Sequence, residues 1–441
     1  MKKAALHNLG CKVNAYETEA MQQMLEGAGY EIVDFHECAD IYVINTCSVT
    51  NMADRKSRQM IHRAKKMNPE AVVVAAGCYV QTKEAEAVAD EAIDIIIGNN
   101  KKYELVTKLD EFFRDHGKID DVLDINDKNQ EFEELYMDQP SEHTRAFIKV
   151  QDGCNQFCSY CIIPYARGRV RSRNLESVLD EVNRLAKNGY QEVVLTGIHL
   201  CSYLSEQVQE DGSKTDVTLL NLIQEIHKVE GINRIRLGSL EPKVVTEEFA
   251  SELSKLEKVC PHFHLSLQSG CDATLQRMNR KYTADEYEQG CQMLRKYFEH
   301  PAITTDVIVG FPGETEEEFE TTREFLKKIH FYEMHIFQYS KRQGTRAAVM
   351  KNQIPESIKK IRSAELIQLG ERMSEEFRAY YLGREEEVLF EEEALIDGIS
   401  YYVGYTKEYV KVAKQSEIPL DNQLVTGVLE ADLGDGIYLM K

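Results

Sequence analysis

The sequence has no long apolar run, and this absence limits where the protein can work. No stretch of the chain approaches the roughly 18 consecutive apolar residues that a membrane span needs. The apolar stretch within residues 1–7 is too short to be the central region of a signal peptide. The sequence therefore predicts a protein of the cytoplasm or a similar reducing compartment, with no membrane partner.

Basic residues are also scarce relative to acidic ones. There are 53 Lys and Arg against 74 Asp and Glu, which gives a net charge of −21. A protein that binds nucleic acid non-specifically is usually basic, so any RNA contact here has to be local. The hydrophobic fraction of 43% is that of a globular protein, and 441 residues predict about three domains.

The cysteines lack the arrangement of a zinc site or of a secreted disulfide framework. The 11 cysteines include one C-x3-C-x2-C group, formed by Cys154, Cys158 and Cys161, and no second C-x2-C pair that would complete four zinc ligands. Iron–sulfur clusters normally have four thiolate ligands, so three leave one iron open. The spacing resembles the radical S-adenosylmethionine (SAM) superfamily, in which SAM chelates that iron. Five other cysteines lie singly and are expected to be buried or incidental: Cys38, Cys201, Cys260, Cys271 and Cys291.

The middle of the chain alternates β-branched apolar stretches with amphipathic ones. The predicted strands are 146–150, 192–195, 234–237, 262–267, 303–309 and 334–339, and the predicted helices are 175–187, 219–229, 246–256, 284–297 and 316–329. Six strands alternating with helices indicate a parallel sheet, most simply a partial (β/α)6 barrel.

Candidate SAM contacts follow the ends of these strands, where the active sites of such barrels gather. Gly197 would let the SAM amino group approach backbone carbonyls, and Glu241 would accept hydrogen bonds from ribose hydroxyls. Gly310 would flank the adenine, and Ser239 and Gln268 complete the candidate set. For Ser239, Glu241 and Gln268, ordinary loop chemistry or helix capping is the alternative interpretation.

The N-terminal part predicts an open α/β sheet with a cysteine after each of three strands. Cys11, Cys47 and Cys78 follow the apolar stretches 4–9, 41–46 and 72–76. Open sheets bind ligands beyond the carboxyl ends of their strands, so the three thiols can converge on one point. Buried cysteines are also common at strand ends, which leaves a purely structural role open.

The complete set of motifs resembles the methylthiotransferase family of radical SAM enzymes over nearly the whole chain. The matching segments are NLGCKVNAYE at 8–17, NTC at 45–47, GC at 77–78, the Cys154–Cys161 group, PYARG at 164–168, LSLQSG at 265–270 and MNRKY at 278–282. The resemblance implies two 4Fe-4S clusters, an auxiliary one on Cys11, Cys47 and Cys78 and a SAM-binding one on Cys154, Cys158 and Cys161. It also implies that two SAM molecules are used, one as a radical source and one as a methyl donor.

The substrate is implied by shorter stretches. GCKVNAYE at 10–17 and SLEP at 239–242 are most similar to the branch that converts N6-threonylcarbamoyladenosine, next to the tRNA anticodon, to its 2-methylthio derivative. Methylthiolation of isopentenyladenosine or of a ribosomal-protein aspartate is the alternative within the family. A two-cluster electron-transfer protein is the alternative from another class. The reductant expected for the enzyme is a flavodoxin or ferredoxin.

Two basic segments are candidate RNA contacts. Arg167, Arg169, Arg171 and Arg173 directly follow the SAM-cluster loop, and guanidinium groups suit phosphate geometry. A second group lies on the predicted helix of the first domain: Arg55, Lys56, Arg58, Arg63, Lys65 and Lys66. The alternative is a solvated helix face together with arginines that are paired with the many carboxylates.

These features predict four segments. Residues 1–115 form the N-terminal α/β domain, 116–140 an acidic linker, 141–370 the radical SAM barrel and 375–441 a small all-β barrel that resembles the RNA-binding TRAM module. Residues 385–441 hold 13 acidic and 4 basic side chains, which argues against electrostatic RNA binding there. Tyr401, Tyr402, Tyr405 and Tyr409 are either stacking platforms for bases or packing residues of the barrel.

Overall fold

The computed structural model describes residues 1–127, 129–137, 144–208 and 212–441. Its first domain is a fully parallel sheet in the order β2-β1-β3-β4-β5-β6 with helices on both faces. The strands are β1 (Lys3–Asn8), β2 (Glu31–Ile32), β3 (Ile41–Thr46), β4 (Val72–Gly77), β5 (Ile95–Ile97) and β6 (Ile119–Asp121). The helices are α1 (Lys12–Gly27), α2 (Asn51–Met67), α3 (Cys78–Thr82), α4 (Glu84–Ala89) and α5 (Leu105–Asp115). Every residue of β3 and β4 is buried, because apolar clusters cover both faces of the sheet.

The predicted end of this domain at residue 115 is too early. Strand β6 pairs with β5 in the register Ile95↔Ile119 and therefore belongs to the first sheet. The predicted linker is anchored near its end, since Leu135 and Met137 are buried against Tyr16 of α1. Position 128 and residues 138–140 of that linker lie outside the described residues.

The central domain is the predicted partial (β/α)6 barrel. Its strands are β7 (Arg145–Asp152), β8 (Arg171–Ser172), β9 (Glu192–Gly197), β10 (Leu204–Val208), β11 (Lys214–Thr218), β12 (Arg234–Leu237), β13 (His262–His264), β14 (Ala302–Val309) and β15 (Glu333–Gln338). Parallel pairing runs β7-β9-β12 and β13-β14-β15, and a parallel bridge between Leu240 and Leu265 joins the two sheets. Strand β8 adds an antiparallel edge to β7, and β10 and β11 form a separate hairpin.

Helices cover the outside of this barrel. They are α6 (Ile163–Ala166), α7 (Leu175–Lys187), α8 (Leu219–His227), α9 (Glu247–Ser254), α10 (Asp272–Arg277), α11 (Ala284–Tyr297), α12 (Glu316–Ile329) and α13 (Glu356–Ala379). Capping boxes begin α8, α11 and α12, where a threonine side chain accepts the backbone N–H three residues later. Successive side chains of β7 point to opposite faces of the sheet. Ala146, Ile148 and Val150 therefore pack into the core between the strands and the outer helices, whereas Arg145 and Phe147 face a central cavity.

The C-terminal domain is a closed five-stranded barrel in the order β16-β17-β18-β20-β19. The strands are β16 (Glu385–Ile396), β17 (Ile399–Tyr405), β18 (Lys411–Lys414), β19 (Leu424–Asp432) and β20 (Ile437–Met440). The predicted boundary between 370 and 375 falls inside α13, which continues to Ala379, so the barrel begins later than expected. The apolar centre of the barrel extends to Phe377 and Tyr381 at the end of that helix.

The C-terminal barrel lies against the amino ends of the central strands. Arg234 of β12 pairs with Glu387 at 3.1 Å, and Arg145 of β7 pairs with Glu391 at 2.7 Å. Tyr409 lines the central cavity and stacks on Tyr405 with a centroid distance of 4.5 Å. No helix in the described ranges is long and apolar enough to cross a membrane.

Candidate active site

The N-terminal cysteines lie at the point where the first sheet changes winding direction. In the order β2-β1-β3-β4, that point is between β1 and β3, and ligands of open α/β sheets bind beyond the strand ends there. Cys11 caps α1 just after β1, and Cys47 directly follows β3. Cys78 begins α3 directly after β4.

Close packing brings these three thiols together. A Cβ atom at Gly10 would lie 2.8 Å from the Cys47 Sγ, so only glycine allows the loop after β1 to approach this cysteine. The Cys11 Sγ lies 3.7 Å from the Asn14 Oδ1, and the Asn99 amide donates to the Cys78 Sγ at 3.5 Å. Asn14 in turn donates to the carbonyls of Leu9 and Thr46, which fixes the loops that carry Cys11 and Cys47.

The environment of these thiols suits a bound cation. Burial raises the pKa of the Cys47 thiol to about 11, and the nearby Cys78 and Cys11 sulfurs raise it further. Burial also raises the pKa of Cys11, with a smaller contribution from Cys78. Three mutually repelling thiolates become favourable when metal ions neutralise them. The donor set of Cys11, Cys47 and Cys78 therefore fits an iron–sulfur cluster.

The second cysteine group occupies the loop after β7. Gly153 and Phe157 adopt left-handed backbone conformations, with φ of 72° and 51°, which coil the chain between the cysteines. Burial raises the pKa of Cys154 to about 11 and that of Cys161 to about 12, and the Cys158 sulfur contributes to both shifts. Cys154, Cys158 and Cys161 are all half-buried, and their role as cluster ligands stays a prediction.

The MNRKY segment holds this loop in place. The Asn279 amide donates to the Phe157 carbonyl at 2.9 Å, and the Arg280 guanidinium donates to the Cys158 Sγ at 3.3 Å. Arg280 also pairs with Glu241 at 2.9 Å, and the His199 ring lies 3.1 Å from the same carboxylate. Burial alone would raise the pKa of Glu241, but His199 and Arg280 lower it. Glu241 is therefore an anionic side chain beside the cysteine loop.

The structure corrects the predicted arginine surface. Arg167 is fully buried, and its guanidinium pairs with Glu17 at 2.9 Å and with Asp152 at 3.1 Å. It also donates to the Asn14 Oδ1 at 2.6 Å. Burial alone would raise the pKa of Glu17, but Arg167, Lys102 and Lys149 hold it well below its usual range. Arg167 thus joins the first domain to the SAM-cluster loop and is not available to RNA.

Two more members of that group are buried as well. Arg173 is fully buried between Glu181 and Glu134, and Arg171 is 6% exposed and lies 3.8 Å from Asp152. Arg169 is exposed and covers the Phe157 ring at 4.6 Å from its centroid. The carboxylate-pairing alternative is therefore correct for Arg167 and Arg173, and only Arg169 of the four presents its charge to solvent.

A cavity of about 790 Å³ lies inside the barrel, and it extends from Cys11 to Tyr409. Gly197 and Ser239, two of the five predicted SAM contacts, line it. Glu241 faces the cysteine loop through Arg280, whereas a Cβ at Gly310 would meet the Lys359 side chain of α13 at 2.3 Å. Gln268 is buried with φ of 69°, and its backbone N–H bonds to the Asp306 carbonyl. The structure does not bring all five residues to one surface.

The floor of the cavity carries polar residues, of which the sequence interpretation singled out only Tyr409, as a stacking or packing residue. They are Lys12, Arg145, Arg236, His262, His264, Asp306, His335 and Tyr409. Ligand atoms of His264, Asp306 and His335 lie within 4.8 Å of one another. The available signal was the period of two, since R-x-R at 234–236 and H-x-H at 262–264 place a polar residue at every second position of otherwise apolar strands.

Comparisons with known proteins identify the family. Residues 148–326 match the radical SAM superfamily, and residues 3–98 match the family described as uncharacterized protein family UPF0004. The chain is 42% identical to the threonylcarbamoyladenosine tRNA methylthiotransferase MtaB of Bacillus subtilis (strain 168), over 93% of this chain and 90% of the relative. The chain belongs to the threonylcarbamoyladenosine tRNA methylthiotransferase family. The MtaB protein of Aquifex aeolicus (strain VF5) is also 42% identical, over 93% of this chain and 98% of the relative.

More distant similarities agree with this assignment. The tRNA-2-methylthio-N(6)-dimethylallyladenosine synthase of Clostridium novyi (strain NT) is 35% identical over 88% of this chain and 86% of the relative. The solved structure of the radical SAM methyltransferase TsrM from Kitasatospora setae, with tryptophan and a SAM analogue bound, has a TM-score of 0.56 at 16% identity. It covers 76% of this chain and 73% of that chain, and this likeness shows the fold alone. Membership of the methylthiotransferase family confirms the resemblance and implies 4Fe-4S clusters and SAM as cofactors.

Proposed function

We propose that this chain transfers a methylthio group to C2 of N6-threonylcarbamoyladenosine next to the tRNA anticodon. The observation that supports this most directly is a cavity lined by a residue of the first cysteine group and by a residue that closely follows the second group. Cys11 lines the cavity, and so does Ile163, two residues beyond Cys161. The modified nucleoside would enter this cavity between the two cluster sites.

The proposal gives each site a task. When bound, a 4Fe-4S cluster with SAM on its open iron supplies a 5′-deoxyadenosyl radical by reductive cleavage. Cys154, Cys158 and Cys161 would hold that cluster, and Cys11, Cys47 and Cys78 would hold the auxiliary one that carries sulfur. Two SAM molecules per product, a flavodoxin or ferredoxin as reductant and a cytoplasmic location belong to the same proposal.

The chain's own residues would orient the reactants and exclude water. Gly197 and Ser239 line the cavity wall below the cysteine loop and would contact SAM or substrate. Arg280 donates a hydrogen bond to the Cys158 Sγ. Hydrogen bonds to the sulfur ligands of an iron–sulfur cluster raise the reduction potential of that cluster. The buried group of Arg167, Glu17 and Asp152 would keep the two cluster sites at a fixed separation.

The tRNA would dock on local basic surfaces of an acidic molecule. Arg169 is exposed near the SAM-cluster loop. The exposed face of α2 carries Arg55, Lys56, Arg58, Arg63 and Lys66, whereas Lys65 is paired with Asp94 at 2.8 Å. Val49 precedes α2 and lines the cavity, so the basic face begins close to the substrate entrance.

The decisive experiment is anaerobic reconstitution with iron and sulfide, followed by incubation with SAM, dithionite and tRNA that carries threonylcarbamoyladenosine. Mass spectrometry of digested nucleosides should show the gain of one methylthio group, together with released 5′-deoxyadenosine. Release of 5′-deoxyadenosine without product would redirect the search to isopentenyladenosine or a ribosomal-protein aspartate. Absence of SAM cleavage would support a two-cluster electron carrier.

A matched pair of variants separates the two cluster sites. Cys47→Ala should leave SAM cleavage intact and abolish the methylthio product, because it removes a ligand from the auxiliary site alone. Cys158→Ala should abolish both SAM cleavage and product. Normal turnover by Cys47→Ala would show that the N-terminal cysteines do not hold a second cluster needed for the reaction.

A further inference from the structure

Three cationic side chains from three elements line the floor of the central cavity. They are Lys12 at the start of α1, Arg145 of β7 and Arg236 of β12. The guanidinium groups have carboxylate partners, since Arg145 lies 2.7 Å from Glu391 and Arg236 lies 2.7 Å from Glu192. Lys12 has no hydrogen bond or ion pair with any described residue, and its ammonium lies 6.0 Å from the centroid of the Phe147 ring. Of these three cations, Lys12 is therefore the one that has no paired carboxylate among the described residues.

The acidic residues of the cavity do not offset this charge. Asp306 is held by the His264 ring at 3.4 Å, and His264 is stacked on His335. Glu333 lies at the edge of the cavity, where it also borders a second cavity beside α13. The pKa of His262 is held well below its usual value, first by burial and then by Arg236, Lys12, His264 and Arg145. The region near Lys12 thus has a positive potential that favours an anion.

The chemistry of the substrate supplies such an anion. In N6-threonylcarbamoyladenosine, threonine is joined through its nitrogen, so its α-carboxylate remains free and carries a negative charge at neutral pH. C2 and N6 of adenine both lie on the Watson–Crick edge. A group that holds the N6 substituent must therefore lie on the same side of the base as the group that delivers sulfur to C2.

Lys12 meets this geometric requirement because it directly follows Cys11. Cys11 is a predicted ligand of the auxiliary cluster, and both residues line the same cavity. The cavity volume of about 790 Å³ is within the range of small-molecule sites and accommodates a modified nucleoside. Lys12 thus presents its ammonium in the same cavity that Cys11 lines.

We propose that Lys12 binds the threonyl carboxylate of the substrate and is a specificity-determining residue for it. The proposal rests on the function given above and names the residue that recognises the N6 substituent. Arg145, Arg236 and the Tyr409 ring between them form the floor beneath this anion site, because both guanidinium groups cover that ring at 5.0 and 4.7 Å from its centroid.

The test compares two RNA ligands on each of four proteins. The ligands are anticodon stem-loops that carry threonylcarbamoyladenosine or its carboxamide analogue, in which threoninamide replaces threonine. The proteins are the reconstituted wild type and the Lys12→Met, Lys12→Arg and Lys2→Met variants, each with SAM. Lys2 is the matched control, because its ammonium also covers an aromatic ring, that of Phe113, but lies outside the cavity lining. Dissociation constants are measured by fluorescence anisotropy, and methylthio product is measured in parallel.

The expected result is a preference for the carboxylate ligand of about 10- to 100-fold in the wild type, the size of one charge-assisted hydrogen bond. Lys12→Met should abolish that preference, Lys12→Arg should restore most of it, and Lys2→Met should retain it. Because the preference is a ratio within one protein, a partial loss of iron in a variant does not affect it.

Two outcomes would overturn the proposal: a wild type that binds both ligands equally, or a Lys12→Met variant that keeps the full preference. A wild type that shows the Lys12-dependent preference but forms no methylthio product would retain the carboxylate site and refute the proposed reaction. The two failures are therefore distinguishable in one experiment.

Discussion

Arg167 illustrates how a single residue is misinterpreted when its partners lie far away in sequence. A run of four arginines next to a predicted active site suggests phosphate binding. One of the two carboxylates that accept the Arg167 guanidinium is Glu17, 150 residues earlier, and no local pattern connects them. The six cysteines that the family resemblance assigns to clusters are marked by spacing and strand-end positions, which are local features, and their role as ligands stays a prediction.

Removal of the Arg167 guanidinium should therefore destabilise the fold. In Arg167→Met, Glu17 and Asp152 lose a buried cationic partner, and the expected cost is about 3 kcal/mol of folding free energy. The melting temperature of the apoprotein, measured by calorimetry, should fall by several degrees. Arg169→Met is the control, because Arg169 is exposed and its loss should change stability by less than about 0.5 kcal/mol. Equal melting temperatures for Arg167→Met and the wild type would show that this group of buried ion pairs does not contribute to the stability of the fold.

Gly10 should be essential for the auxiliary site for a steric reason. In Gly10→Ala, the new Cβ would lie 2.8 Å from the Cys47 Sγ, so the loop or the cysteine must move. The reconstituted variant should lose the iron of the N-terminal site and keep SAM cleavage, which iron analysis and 5′-deoxyadenosine release measure. Gly29→Ala is a matched control, since Gly29 also has a positive φ, of 86°, but no atom lies within 4 Å of the position that a Cβ would take there. Full iron content in Gly10→Ala would show that the loop adapts.

At the scale of elements, the periodicity of the sequence predicted the bounds of helices better than it predicted the boundaries between domains. The predicted bounds of α7, α11 and α12 are those of the structure, because an apolar stripe and a capping threonine or asparagine define each one. Strand β13 was predicted to reach residue 267 but ends at His264, and beyond it only isolated parallel bridges at Leu265 and Gln268 continue the pairing. Strand β6 was missed because acidic composition was taken as a linker, and the boundary at 370–375 was placed inside α13.

Glu386 of strand β16 should make the stability of the C-terminal barrel depend on pH. Burial, and then repulsion from Glu408, raise the pKa of Glu386 to about 7. The folded state therefore keeps a proton on Glu386 that the unfolded state releases above about pH 4.3. The free energy of unfolding should consequently fall as the pH rises from about 4.5 to 7, and it should change little above pH 7. Glu386 is partly exposed, so we expect an effect of only about 1 kcal/mol.

The neutral variant Glu386→Gln provides the measurement. Its melting temperature should equal that of the wild type at pH 5 and exceed it at pH 8. Glu385→Gln, at the exposed neighbouring position of the same strand, should follow the wild type at both pH values. A difference in melting temperature between Glu386→Gln and the wild type that does not change with pH would refute this role of the carboxyl group.

At the scale of the whole molecule, the three domains meet around one cavity. The first domain contributes Cys11 and Lys12, the central barrel contributes its inward side chains, and the C-terminal barrel contributes Tyr409. The sequence predicted each domain separately, because each has its own periodicity. It could not predict that Tyr409 would contact Arg145 and Arg236, because that contact depends on how two separate sheets of the chain are placed together.

The charge distribution of the whole molecule leads to a prediction for tRNA binding. With a net charge of −21, binding has to rely on local basic residues, and the exposed face of α2 is the richest candidate. The logarithm of the affinity for a nucleic acid falls linearly with the logarithm of the salt concentration. Each phosphate that a lysine or arginine neutralises adds about 0.7 to 0.9 to the steepness of that slope. The double variant Arg55→Gln/Lys56→Gln should therefore bind tRNA more weakly and reduce the slope by about 1.5. The control Lys327→Gln/Lys328→Gln, on α12 where both lysines pair with glutamates, should leave the slope unchanged. An unchanged slope in the α2 variant would place the RNA on another surface, with Arg169 beside the cysteine loop as the next site to substitute.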